Sequence, residues 1–331
     1  MSSNGSDGVS FRFAKEFPAA GLSFACPVVK PRYADLYVTV TADGERLVDA
    51  RRVCAKVMGD RNRTAIYVPF ARRIAARRID VTFAHKGGKP RPAIEAPRIE
   101  SGFRTPDLAS KTLAIRYDSY PRENPPVTDD QIIPEDDVKV LARGAAAAGT
   151  VEWDVPDGEW TLIRFGYACD GAKNRPGSFA GVGLEADKLD ARAVDAHYRE
   201  FRRLVPSPDE GLTTLIVDSY EVGCPNWTES FEEEFRKRRG YDIVPHLVKL
   251  TGRIVGGVRD TEPTLADYRR TVADLFVENY GRRFAELCHR DGYLFELEGY
   301  GDCPSSDLEY GRWADVPMGE FWAHRGHADT T

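Results

Sequence analysis

Apolar and polar residues alternate along the first part of the chain. Phe11-Arg-Phe13-Ala-Lys-Glu-Phe17, Asp35-Leu-Tyr37-Val-Thr-Val40, Thr64-Ala-Ile-Tyr67-Val-Pro-Phe70 and Ile79-Asp-Val81-Thr-Phe83 are rich in the aromatic and β-branched residues of strands. Asp43-Gly44 supplies a turn after the second run. Short strands at this spacing predict a sandwich-like β domain. Residues 118–137, rich in Pro and Asp, read as a connection. Val155-Pro-Asp-Gly158 reads as a turn and Trp160-Thr-Leu-Ile-Arg-Phe165 as a further strand.

The period then changes. Asp187 to Leu204 predicts a helix, with Leu189, Val194, Tyr198 and Phe201 at three- and four-residue spacings. Leu212 to Val217 predicts a strand, and Asn226-Trp-Thr-Glu229 resembles a capping box. The run Glu232–Arg239 is acidic first and basic last, which matches the helix dipole and offers the pairs Glu232–Arg236 and Glu234–Arg238. Gly240 suits the position just past its end. A longer helix is expected from about Leu265 to His289, then a strand at Tyr293–Leu297 and a third near 314–318.

Strand, helix, helix, strand describes βα units of a parallel sheet. There are too few of them to close eight strands. The fold class expected is therefore α+β multidomain: an N-terminal β-sandwich-like domain with its connecting segment over 1–170, followed by part of a (β/α)8 TIM-type barrel over 171–331.

Composition narrows the functional classes. The 331 residues are 42% hydrophobic, enough for a core, and the net charge is −6. No broad positive excess is available to neutralise phosphates, so a nucleic-acid partner is not expected. No apolar run approaches the ~20 residues that span a bilayer. The start lacks the basic and apolar blocks of a secretory leader, and export of a longer parent to the periplasm or beyond stays open. Six widely spaced cysteines, with no C-x-x-C, read as free thiols. His197, His246, His289 and His324 lack metal-ligand spacing, and no phosphate loop, H-E-x-x-H or G-x-S-x-G occurs.

Acids at the ends of apolar strands are what remains. Asp218-Ser-Tyr-Glu221 follows Leu215-Ile-Val217, Glu298 closes Tyr293-Leu-Phe-Glu-Leu-Glu298, and Glu320-Phe-Trp322 follows Val316-Pro-Met318. In a βα barrel the C-terminal strand ends carry the chemistry. Paired carboxylates, with rings to stack on sugar faces, are the tools of glycoside hydrolysis. A loop salt bridge or helix cap is the structural alternative for Asp218 and Glu221. Glu296 and Glu298 alternate along one strand, so at most one of them faces the mouth, and Glu298 is nearer its end.

An ordered series of motifs carries a resemblance. Trp160-Thr-Leu-Ile-Arg-Phe-Gly-Tyr167, Gly183-Leu-Glu-Ala-Asp-Lys-Leu189, Asp218–Glu221, Asn226-Trp-Thr228 and Phe235-Arg-Lys-Arg-Arg-Gly-Tyr241 come first. Asp267-Tyr-Arg269, Glu298-Gly-Tyr-Gly301 and Asp315-Val-Pro-Met-Gly-Glu-Phe-Trp322 follow. Over residues 150–322 the chain resembles the glycoside hydrolase family 106 α-L-rhamnosidases. The resemblance implies a (β/α)8 barrel with β-sandwich domains, an inverting mechanism, a rhamnose-containing substrate and an associated calcium ion whose ligands are unknown. It makes Glu221 the general acid and Glu320 the general base. Asp218, Glu298, Trp227 and Trp322 become the expected substrate contacts. A non-catalytic carbohydrate-binding fragment and a glycosidase for another sugar are the alternatives. Family members are much longer, so the chain reads as a portion whose activity alone is in doubt.

Overall fold

The structure is a computed structural model. It describes residues 6–26, 35–54, 64–85, 93–112, 124–144, 149–169, 171–174, 177–220, 222–300, 303–319, 321–324 and 327–330. Two compact units result, and neither is continuous in sequence. One holds residues 1–167 and 240–266, the other residues 168–239 and 267–331.

The first unit is built on one antiparallel sheet. Its strands are β1 (Ser6–Cys26), β2 (Asp35–Ala42), β3 (Glu45–Cys54), β4 (Thr64–His85) and β5 (Glu95–Glu100), in the order β3-β2-β4-β1-β5. The runs at 64–70 and 79–83 merge into β4, which pairs with β1 over most of its length. Register slips between Arg12 and Phe17 and between Ala19 and Gly21 mark irregularities, which raise local twist. Leu22, Phe24, Leu36, Val38, Val40, Val68, Phe70, Val81 and Phe83 form the core, with Phe24 edge-on to Phe83 at 5.2 Å. Within this unit the described strands make this one sheet and no second one.

A short helix α1 (Leu108–Lys111) and the 240–257 stretch complete the unit. Thr105 N donates to Gly252 O at 2.8 Å, and Ile254 packs with Ala20 and Phe103. Lys249 is buried there and satisfied, with Nζ reaching Glu135 Oε1, Asp260 O and Thr264 Oγ1 at 3.1–3.3 Å.

Trp160–Phe165 is not a strand. It pairs with none among the described residues, and Leu162, at 77% exposure, shows what an apolar pattern becomes without a neighbouring sheet. Pattern alone does not make a strand; partners do.

The second unit follows the expected βα order. Its helices are α2 (Ala191–Arg202), α3 (Phe231–Arg239), α4 (Val258–Phe276), α5 (Arg283–Arg290) and α6 (Asp307–Gly311), α4 beginning in the first unit. Strands β6 (Thr214–Val217), β7 (Leu294–Glu298) and β8 (Val316–Met318) form a parallel sheet in that order. An antiparallel hairpin of β9 (Phe321–His324) and β10 (His327–Thr330) ends the chain.

Details differ from the sequence reading. Asp190 caps α2 by accepting from Arg192 N, so Leu189 lies just outside the helix, and Phe201 is largely exposed. Helix α3 starts at Phe231 rather than after a box at Asn226, whose carbonyl instead accepts Tyr268 OH at 2.6 Å. The Glu234–Arg238 pair forms at 3.0 Å, and Gly240 takes the left-handed conformation that ends the helix. The long helix starts at Val258 and is broken by a π turn, Val277–Arg282, before α5 continues it. Cys26, Cys169 and Cys288 are free thiols, and burial pushes Cys26 and Cys288 up to about 12. The Cys54 side chain lies outside the described residues. No helix among the described residues is long and apolar enough to cross a membrane.

Candidate active site

Parallel strands bring like ends to one edge, and the register sets their level. Val217 pairs with Leu297, so Asp218 comes level with Glu298, and Glu298 pairs with Met318. Three acid-bearing segments therefore leave the same edge of the sheet. Glu221 lies four residues past the end of β6 and Glu320 two past the end of β8. Both lie outside the described residues, as does the side chain of Trp322.

Asp218 is exposed and accepts from Ser219 N at 2.9 Å, a local bond that shapes the turn without engaging a cation. Glu298 is buried, at 2% exposure. A carboxylate in that position needs polar company to remain there. The strand end around it is tightly packed, because a Cβ on Gly299 would stand 2.9 Å from Asp307 O and 3.2 Å from Gly311 Cα. Glycine here lets α6 lie against the end of β7. Asp315 braces the opposite end of β7 by accepting from Phe295 N and His289 Nε2, and these bonds lower its pKa. Trp227 is half-buried with its ring tilted onto Phe231 at 4.4 Å, so one of its contacts is with the start of α3.

Behind the β6 end lies a cluster that the sequence reading did not single out. Tyr220 is buried, its N–H 3.4 Å from Tyr300 O and its ring edge-on to Phe276 at 5.0 Å. Tyr280, from the π turn, sits 6.0 Å from Tyr310 with the rings stacked. Burial raises the pKa of both Tyr280 and Tyr310, so both phenols are neutral. The buried ammonium of Lys188 lies 5.7 Å from the Tyr220 ring centre and 5.6 Å from that of Tyr280. Glu185 accepts from it. The signals for this cluster in the sequence were that Lys188 and Glu185 fall within the Gly183–Leu189 motif and Tyr220 within Asp218–Glu221.

Calcium takes about 6–8 oxygen ligands. Among the described residues no group of three or more His, Cys, Asp or Glu is arranged to hold a metal ion. Asp218 and Glu298 are two carboxylates on neighbouring strands and fall short of such a shell.

The sequence profile of glycoside hydrolase family 106, described as alpha-L-rhamnosidase, matches residues 89–331. The chain belongs to this family. A solved rhamnosidase from Novosphingobium sp. PP1Y superposes with a TM-score of 0.72 at 23% identity, over 96% of this chain and 30% of that one. That likeness speaks to the fold. A curated protein of Formosa agariphila named putative beta-glucuronidase is 35% identical over 234 residues, which is 69% of this chain and 20% of that protein. The chain thus spans about a fifth of that relative's length and under a third of the solved rhamnosidase's. The family and the curated relative both carry the names of glycosidases.

Proposed function

We propose that this chain supplies the catalytic acids of an inverting α-L-rhamnosidase acting on terminal rhamnose in polysaccharides or glycosides. In this reading the N-terminal unit is a sandwich-like domain, and the second unit, with β6–β8, is part of a (β/α)8 barrel. Glu221 protonates the leaving glycosidic oxygen. Glu320 takes a proton from the water that attacks the anomeric carbon from the opposite face. Asp218, Glu298, Trp227 and Trp322 contact the sugar. No step is routed through calcium.

The supporting observation is the strand order. The acids follow β6 and β8, with β7 between them. Strands spaced by about 4.8 Å put the ends of β6 and β8 roughly 9.6 Å apart, and the inverting mechanism, with carboxyl groups ~6.5–9.5 Å apart, is taken from the family resemblance. Longer protein containing this chain should cleave an aryl α-L-rhamnoside, and Glu221→Gln or Glu320→Gln should lower kcat about 10²–10⁴-fold. Proton NMR should show the inverted anomer formed first. Unchanged turnover in either variant would sink the assigned roles.

The glucuronidase-named relative favours a second reading, a glycosidase for another sugar. An aryl β-D-glucuronide in the same assay separates the two. Sugar binding by the protein, with no hydrolysis of any glycoside, would favour a binding module instead.

A further inference from the structure

Lys188, Lys249 and Glu298 are the buried charged side chains among the described residues. An ammonium withdrawn from water is costly unless it gains partners, so each demands a reason. Lys249 has three oxygen partners within its own unit and is structural. Lys188 differs, because its surroundings lead to the candidate active site.

Its ammonium is held by Glu185, lies 3.4 Å from Ala186 O, and faces two aromatic rings. Cations are attracted to ring faces within about 6 Å, most strongly where water is excluded. One ring, Tyr220, belongs to the turn after β6, directly before Glu221 in sequence. The other, Tyr280, belongs to the π turn between α4 and α5. Such turns are frequent at functional sites because they aim a side chain that a regular helix would direct elsewhere. The same π turn anchors the Lys188 loop, since Asn279 Nδ2 donates to Leu189 O at 2.7 Å. The loop, the π turn and the β6 turn thus converge on one ammonium.

We infer that Lys188 is a positioning residue for the Asp218–Glu221 turn, its ammonium holding the Tyr220 and Tyr280 rings together so that the backbone ahead of Glu221 keeps one conformation. The inference rests on the proposed function only for what Glu221 does. Misplacing a catalytic group by about 1 Å can cost 10²-fold in rate. Lys188 therefore affects turnover through Tyr220 without touching the sugar.

The test compares Lys188→Met, which keeps the chain length and removes the charge, with Lys188→Arg, which keeps the charge, in the full-length protein. Amide hydrogen exchange reads local opening. In Lys188→Met, amides of residues 218–222 should exchange at least about tenfold faster, while those of β1–β5 stay unchanged. On the aryl α-L-rhamnoside kcat should fall about 10–100-fold with KM within about threefold. Lys188→Arg should stay near wild type in both readouts.

Wild-type exchange at 218–222 in Lys188→Met overturns the inference. So does faster exchange spread evenly through the protein, which marks a purely structural residue. An Arg variant as impaired as the Met variant also counts against it, because charge would then be irrelevant. If the wild-type protein hydrolyses no aryl glycoside, the functional reading fails, and the exchange experiment still decides whether Lys188 orders the turn.

Discussion

At Gly281 the helix passes so close to Tyr310 that a Cβ would stand 2.9 Å from the ring. The ring is fully buried and stacked on Tyr280, so it has little room to retreat. Gly281→Ala should destabilise the protein by about 1–3 kcal/mol, as overpacking of a filled interior does, despite alanine's better helix propensity. Thermal unfolding of the pair of proteins measures it, and an unchanged or raised Tm would refute the crowding argument. Residues of this kind were hidden from the sequence. Glycine in a helical stretch reads as a weak point, and only the opposing ring shows that it is a fit. Lys188 was hidden for a related reason: lysine is normally a surface residue, and nothing local marks one that is buried against tyrosines. The placement of Asp218 and Glu298 at strand ends was legible because such ends are marked by the apolar runs before them.

Among the elements, the π turn interrupts the one long helix expected from about Leu265 to His289. Buried Leu265, Tyr268, Val272 and Phe276 follow three- and four-residue steps, but the next buried position, Gly281, is five residues on. From there Phe284 and Cys288 resume the helical spacing one residue out of phase. Arg238 of α3 grips this turn, donating to both Glu278 oxygens at 2.7–2.8 Å and to Glu234 at 3.1 Å. The guanidinium holds the Glu278 carboxyl below its ordinary 4.5. The unfolded chain then binds that proton more tightly than the folded one. The stabilisation is therefore complete above the ordinary Glu value and is lost as pH falls through the lowered one. Glu278→Gln should cost about 1 kcal/mol near neutral pH, partial exposure trimming what a buried pair would contribute. The Tm difference from wild type should vanish in acid, and a gap that persists there would assign the loss to packing instead. The failed strand at Trp160–Phe165 teaches the opposite lesson from the sheet strands: its pattern is as good as theirs, and the missing ingredient is a partner that no local window reveals.

For the whole molecule, the parallel order β6-β7-β8 was legible from the strand-helix rhythm, and the absence of a closed barrel among the described residues from the count of strands. Large apolar side chains at Leu162, Tyr167, Phe179 and Leu184 stand exposed. Replacing Leu162 and Leu184 by Asn should leave stability within about 0.5 kcal/mol of wild type, as surface changes do, while light scattering of the isolated chain falls. A drop in Tm would mean that these residues pack against something in solution. The two units also carry a consequence for anyone dividing the gene. Residues 240–266 return to the N-terminal unit, where Gly252 O accepts from Thr105 N and Ile254 seals the contact with Phe103 and Ala20. A stop codon near 167 therefore strips that unit of part of its own interior, and a start codon near 168 leaves 240–266 with nothing to dock on. No single cut in the reading frame divides this chain into its two units.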